Sequence, residues 1–201
     1  MRPMIISFIS AFATIGIVAC AQGGDASSEP MEQVATENTS DAGPAVGAPI
    51  PEGFVARDTS GAERHLADIT GENGIVLVFN RSVDWCSYCQ AQMVGLRDIE
   101  SDLAERGYTL ATLSYDSPQT LAGFARRENI GYLMLSDEGS AMIDAFELRD
   151  PQYGADSFAY GVPRPAIFVI GSNGEVQAKM VESDYRVRPE NSDILAVIDA
   201  L

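Results

Sequence analysis

The sequence predicts an α/β domain, a central mixed sheet flanked by helices, with an N-terminal β-hairpin. Three observations lead there. Apolar runs of strand length recur along the chain, amphipathic stretches at helical spacing separate the early ones, and turn residues join the outer strands in pairs. Parallel strands need long crossover connections, and the predicted helices supply them.

Taken in chain order, "FVARDTSGAERHL" (Phe54 to Leu66) sets two short apolar-polar stretches around Asp58-Thr59-Ser60-Gly61, which predicts a hairpin. "GIVLVFN" (Gly74 to Asn80) is apolar without alternation, as suits a strand covered on both faces. Met93, Leu96, Ile99 and Leu103 then recur at helical spacing among charged residues, and Gly107 ends that segment. "YTLATLSYD" (Tyr108 to Asp116) is the next strand, and Ser117-Pro118 has the form of an N-cap with proline at the first helical position, opening a helix to about Asn129. "GYLMLSD" reads as a strand and "SAMIDAFEL" as a short helix, whereas "RDPQYGADSFAYG" (Arg149 to Gly161) has no period and reads as a loop. "PAIFVI" and "EVQAKMV" pair through a turn at Ser172-Asn173-Gly174, and "NSDILAVIDAL" closes the chain as a helix.

The first part of the chain has a different character. Arg2 precedes the apolar run "MIISFISAFATIGIVAC", which is short and wrongly flanked for a membrane span and reads as a secretory signal. Its end, "IVAC" (Ile17 to Cys20), resembles the lipobox of bacterial lipoproteins, in which the cysteine becomes lipid-modified. The alternatives are an ordinary signal peptide or a retained signal anchor. Residues 22–51 are rich in Gly, Ser, Ala, Pro and acids and cannot bury enough surface to offset ordering entropy. The expected organisation is therefore a lipoprotein signal peptide at 1–19, a flexible acidic tether at 20–50, and one domain at 51–201. The resemblance implies export, with Cys20 anchoring the protein on the periplasmic side of the envelope; Ala21, where Asp would favour the inner membrane, points to the outer one.

A formal net charge of -16 and a pI near 4.2 argue against nucleic acid as a partner, because a phosphate backbone is held by clustered Lys and Arg. Beyond Cys20 the only cysteines are Cys86 and Cys89, in "DWCSYCQ". Such a pair binds metal, staples a loop or exchanges disulfides. Zinc needs about four ligands. His65 is the only histidine and there is no second cysteine pair, so no metal is expected; His65 itself reads as a surface residue. A bridge across so short a step closes too small a loop to stabilise much by chain entropy.

A buried strand, then "WCSYC", then an amphipathic helix resembles the thioredoxin superfamily, and more closely its redoxin (AhpC/TSA, peroxiredoxin-like) branch. The resemblance covers roughly Ile50 to Leu201, with "LVFNRSVDWCSYC", "LSYDSP" and "PAIFVIGSNGEV" in the family's order. It implies a thiolate at a helix N-terminus, stabilised by free N–H groups and the helix dipole. On that reading Cys86 is the nucleophile and Cys89 resolves the mixed disulfide. Asp84 opposes thiolate formation and Arg81 favours it. Asn80 stands where thioredoxins often hold a buried Asp. The resemblance further implies a cis-proline facing the cysteines, which the spacing to the last hairpin puts at Pro165 after Arg164, beside a groove for an extended substrate. Trp85 shapes the rim.

Two activities compete. Peroxiredoxins carry Thr or Ser three residues, and Pro seven residues, before the peroxidatic cysteine. Counted from Cys86 those positions hold Val83 and Phe79, and from Cys89 they hold Cys86 and Ser82, so neither register matches. The family's activating arginine aligns with Pro165, with Arg164 adjacent. The sequence thus favours a thiol-disulfide oxidoreductase acting on protein thiols and disulfides through an unidentified electron donor or acceptor. No cofactor is implied. A thiol peroxidase is the first alternative, and a non-catalytic binding module of the same fold is the second.

Overall fold

The computed structural model describes residues 41–201. Seven strands, β1 (Val55–Arg57), β2 (Glu63–His65), β3 (Gly74–Phe79), β4 (Tyr108–Ser114), β5 (Leu133–Ser136), β6 (Ala166–Gly171) and β7 (Val176–Val181), form one sheet in the order β2-β1-β5-β4-β3-β6-β7. The chain is thioredoxin-like, with a mixed sheet, flanking helices and the expected N-terminal hairpin. β3, β4 and β5 run parallel, while β6 lies antiparallel to β3 and β7 to β6. β1 attaches the hairpin through an antiparallel contact between Arg57 and Ser136.

β3 is buried along its whole length because it serves two cores. Ile75, Leu77 and Phe79 join Leu113, Phe146 and Phe168 on one face, and Val76 and Val78 join Met93, Leu103, Phe124 and Ile194 on the other. Helices α2 (Ser87–Gly95), α3 (Glu100–Glu105), α4 (Pro118–Glu128) and α6 (Asn191–Asp199) supply the second face, and α5 (Ala141–Ala145) the first, with α1 (Leu66–Ile69) short and peripheral. The Ser117 side chain accepts the Thr120 N–H as N-cap of α4, and Asn129 ends that helix in the left-handed region.

Two expectations are refined. The helix through Met93 and Leu103 is not continuous. After Gly95 it tightens into a 3-10 turn over Leu96–Ile99 before α3, which stacks Leu96 and Ile99 at eclipsed positions, both buried. The packed structure also begins ahead of the expected boundary at Pro51. The N–H of Gly47 donates to Val176 (2.8 Å), that of Ile50 to Gly174 (3.0 Å), and the Ile50 side chain is buried. Among the described residues no helix is long and apolar enough to cross a membrane. Cys20 and the rest of the proposed signal lie outside the described residues.

Candidate active site

The parallel strands β3 and β4 end side by side, at Phe79 and Ser114, and the loops leaving them build the site. Residues 80–86 connect β3 to α2 and must be held without regular structure of their own. Asp116 holds them, its carboxylate accepting from Ser82 Oγ (2.7 Å), Val83 N–H (2.8 Å) and Ser114 Oγ (2.8 Å). Burial pushes the Asp116 carboxyl above its usual range, against the pull of those hydrogen bonds. From the helix side, Gln90 Nε2 donates to Val83 O at 2.9 Å and Asp84 O at 3.2 Å.

Cys86 is the N-cap of α2, and its Sγ accepts the N–H of Cys89 at 3.3 Å. The two cysteines are joined as a disulfide with a Cα–Cα distance of 5.2 Å. They are recessed: Cys86 is 4% exposed and Cys89 fully buried. Asn80 is buried as well, its amide donating to Leu113 O at 3.4 Å.

Aromatic side chains form the rim. Trp85 meets Phe158 edge-on at 5.4 Å and donates Nε1–H to Tyr115 Oη at 2.9 Å, and Tyr88 meets Tyr185 edge-on at 6.0 Å. Phe158, Tyr88 and Tyr185 are exposed. Beneath the rim, Arg81 is buried, its guanidinium 4.1 Å from the Tyr185 ring centre and 5.1 Å from those of Trp85 and Tyr153, and it donates to Tyr153 Oη. Cation–π contact with three rings replaces a carboxylate partner. Tyr153 and Phe158 belong to the segment 149–161, which is irregular as expected but closes through an Arg149–Pro163 bridge into a wall of the site.

The loop between β7 and α6 supplies a second cation. Arg188 Nη2 lies 3.7 Å from Cys89 Sγ. Pro165 is buried and shares a small cavity with Arg188, Gln92 and Glu182. Arg164 faces a neighbouring cleft of about 200 Å³ that Asp150, Gln152, Glu182 and Tyr185 also line. Of the residues singled out in the sequence, Cys86 and Cys89 are thus brought together with Trp85 above them, and Pro165 with Arg164 lies on the Arg188 side. Sequence reasoning missed Arg188, Tyr153, Tyr185 and Asp116. No local pattern marks any of them as a site residue.

The AhpC/TSA family pattern matches residues 46–179. Peroxiredoxin Bcp of Escherichia coli K12 is 27% identical over 127 residues, 62% of this chain and 78% of that protein. The crystal structure of the peroxidoxin BcpB from Mycobacterium tuberculosis superposes with a TM-score of 0.67 at 21% identity, covering 78% of this chain and 97% of that one. A Xanthomonas campestris bacterioferritin comigratory protein, whose structure was described for its alkyl peroxide reduction activity, gives 0.63 at 16% identity, covering 78% and 98%. These likenesses overturn the expectation of a general thiol-disulfide oxidoreductase, since the relatives found carry peroxiredoxin names. The register of Thr, Ser and Pro around Cys86 and Cys89 still departs from that of peroxiredoxins, and the likenesses outweigh it.

Proposed function

Because the chain belongs to the AhpC/TSA family, we propose that it is a thiol peroxidase that reduces hydroperoxides through Cys86 and Cys89. One thiolate attacks the terminal oxygen of the hydroperoxide, the O–O bond breaks, and the alcohol leaves with a proton. The sulfenic acid formed is attacked by the second thiol, which expels water and leaves the Cys86–Cys89 disulfide. An external dithiol or two thiols then take up the oxidising equivalents and restore the reduced pair.

The observation that carries this reading is the recessed cysteine pair beside a guanidinium in this family's fold. A cysteine pair this recessed, Cys86 at 4% exposed and Cys89 buried, suits a small hydroperoxide better than the disulfide of a folded protein. The exposed rings of Tyr88, Phe158 and Tyr185 at the mouth favour an alkyl over an inorganic peroxide. Consumption of cumene hydroperoxide with dithiothreitol as reductant is the test. A rate constant orders of magnitude above that of free cysteine, lost in Cys86→Ser/Cys89→Ser, is expected, and a rate no faster than free thiol overturns the proposal.

From residues 1–20 alone we also propose lipid attachment at Cys20 and a periplasmic, membrane-anchored location. Cys20→Ser should move the protein from the membrane to the soluble fraction, and an unchanged distribution would rule the anchor out.

A further inference from the structure

Resting on the thiol peroxidase reading, we propose that the cleft lined by Arg164 and Glu182 binds the reductant, a low-molecular-weight thiol with a zwitterionic amino-acid head. The disulfide to be reduced is recessed, since Cys89 is fully buried and Cys86 nearly so. A thiol small enough to enter reaches it more readily than one carried on a folded protein.

The cleft adjoins the cysteines on two sides. Tyr185, one of its walls, meets Tyr88 edge-on at 6.0 Å, and Tyr88 stands between Cys86 and Cys89 in the chain. Pro165 and Glu182 line both the cleft and the inner cavity of Arg188, whose Nη2 lies 3.7 Å from Cys89 Sγ. The cleft holds about 200 Å³. Sites for drug-sized molecules run to about 300–1,000 Å³, so this one suits a group on the scale of an amino acid. Asp150, Gln152, Arg164, Glu182 and Ser183 make it polar, which is wrong for the alkyl chain of a peroxide.

Its charges are not paired with each other. Arg164 has no carboxylate, and Asp150 and Glu182 no lysine or arginine, within 4.0 Å among the described residues. Arg186 and Asp184, in the β7–α6 loop, neutralise one another at 2.6 Å instead. Asp150 is buried, and one of its carboxylate oxygens accepts the Gln152 N–H at 3.1 Å. Burial raises the Glu182 pKa against the pull of Arg188, and an ammonium beside it would offset that. Unpaired charges of both signs in one cleft match a ligand that carries both. Its carboxylate meets Arg164, which suits a bidentate contact, and its ammonium meets Glu182 and Asp150.

Neither cysteine lines the cleft, so the ligand's sulfur stands at the end of a spacer that passes Tyr185. Its thiolate attacks Cys86 Sγ, the S–S bond breaks, and Cys89 leaves as a thiolate and takes a proton. A second thiolate attacks the ligand's sulfur in the mixed disulfide, which releases the ligand disulfide and returns Cys86 as a thiol. Two thiols are oxidised for each pair reduced.

The experiment reduces the oxidised full chain without peroxide and follows the fluorescence of Trp85, the only tryptophan, next to Cys86. Glutathione, N-acetylglutathione and 2-mercaptoethanol are the probes. Each rate constant is divided by that of the same thiol with 2-hydroxyethyl disulfide, which cancels differences in thiol pKa. Glutathione should exceed both other thiols by about tenfold or more, the scale of one or two charge-assisted hydrogen bonds. Arg164→Met should bring its ratio to 2-mercaptoethanol toward one, and Arg164→Lys should restore part of it. Glu182→Gln should bring its ratio to N-acetylglutathione toward one. Equal normalised rates in the unaltered protein overturn the proposal, as do ratios that neither Arg164→Met nor Glu182→Gln moves. Fast reduction by thioredoxin with glutathione no better than 2-mercaptoethanol also overturns it, in favour of a protein reductant. The peroxidase reading stands or falls separately, on cumene hydroperoxide consumption with dithiothreitol.

Discussion

Asp58 and Asp116 fasten loops with the same kind of hydrogen bonds in opposite electrostatic settings. At the edge of the sheet, Asp58 accepts from Ser60 N–H (2.8 Å), Ser60 Oγ (2.5 Å) and Ala62 N–H (3.1 Å), and Arg64 completes the set at 2.6 Å. At the centre, Asp116 gathers Ser82, Val83 and Ser114 without a cation within 4.0 Å among the described residues. Burial opposes ionisation at Asp58 as well, but its hydrogen bonds and Arg64 outweigh it and hold the carboxyl at about 2, whereas at Asp116 burial prevails. The cations near the site, Arg81 and Arg188, face aromatic rings and a sulfur instead of a carboxylate. An edge turn is best held by an ion pair. Beside the cysteines, a carboxylate paired with those arginines would cancel the field that a thiolate needs.

The largest expected effect breaks the centre. Asp116→Ala leaves the Val83 N–H and the Ser82 hydroxyl buried without an acceptor, which costs about 2–3 kcal/mol in urea unfolding. Because those residues set the approach to Trp85 and Cys86, hydroperoxide turnover should fall by about tenfold or more. Asp58→Ala frees donors that water can reach and should cost about 1–2 kcal/mol with turnover unchanged. Equal losses of turnover in the two variants would refute the division between edge and centre.

A smaller effect separates the two by the sign of their pH dependence. Asp58 titrates at about 2, below its ordinary 3.8, so its contribution to stability is complete above 3.8 and fades as pH falls toward 2. Asp116 titrates above 3.8, so its contribution is complete below 3.8 and declines as pH rises through its raised value. The penalty of Asp58→Asn should therefore shrink on acidification and that of Asp116→Asn should grow. Urea midpoints between pH 3 and 7 measure both, and parallel trends would contradict the two settings.

What was legible in the sequence follows the same division. The edge hairpin was legible because Asp58 to Gly61 is a local turn signal, and the last hairpin because Gly174 takes φ +81° in its turn. The order of strand, cysteine pair and helix carried the fold, since β3 is apolar throughout and α2 begins at its cap. The site was legible only where its residues are neighbours in the chain, as with Trp85, Cys86 and Cys89. Arg188 stands 99 residues from Cys89, and Tyr153 stands 72 from Arg81, so sheet topology brings them together and no local pattern marks them. Asp116 read as a strand end, because nothing beside it shows that Ser82 and Val83 lie under it.

The smallest effect tests whether loop or rim positions the cysteines. Trp85 Nε1–H donates to Tyr115 Oη at 2.9 Å, and burial raises the Tyr115 pKa, so the phenol stays neutral throughout the working range. Tyr115→Phe removes one neutral hydrogen bond and should cost about 1 kcal/mol. The Trp85 ring keeps its edge contact with Phe158 and its place over Arg81, so hydroperoxide turnover should change by no more than about threefold, near 0.7 kcal/mol. A loss as deep as that of Asp116→Ala would mean that the indole, through Tyr115, sets the geometry of the cysteine pair. In that case Phe158→Ala, which removes the other ring contact of Trp85, should depress turnover further when combined with Tyr115→Phe. If Asp116 is the anchor, the combination should leave turnover close to that of Tyr115→Phe alone, because Asp116 holds Ser82 and Val83 without either ring.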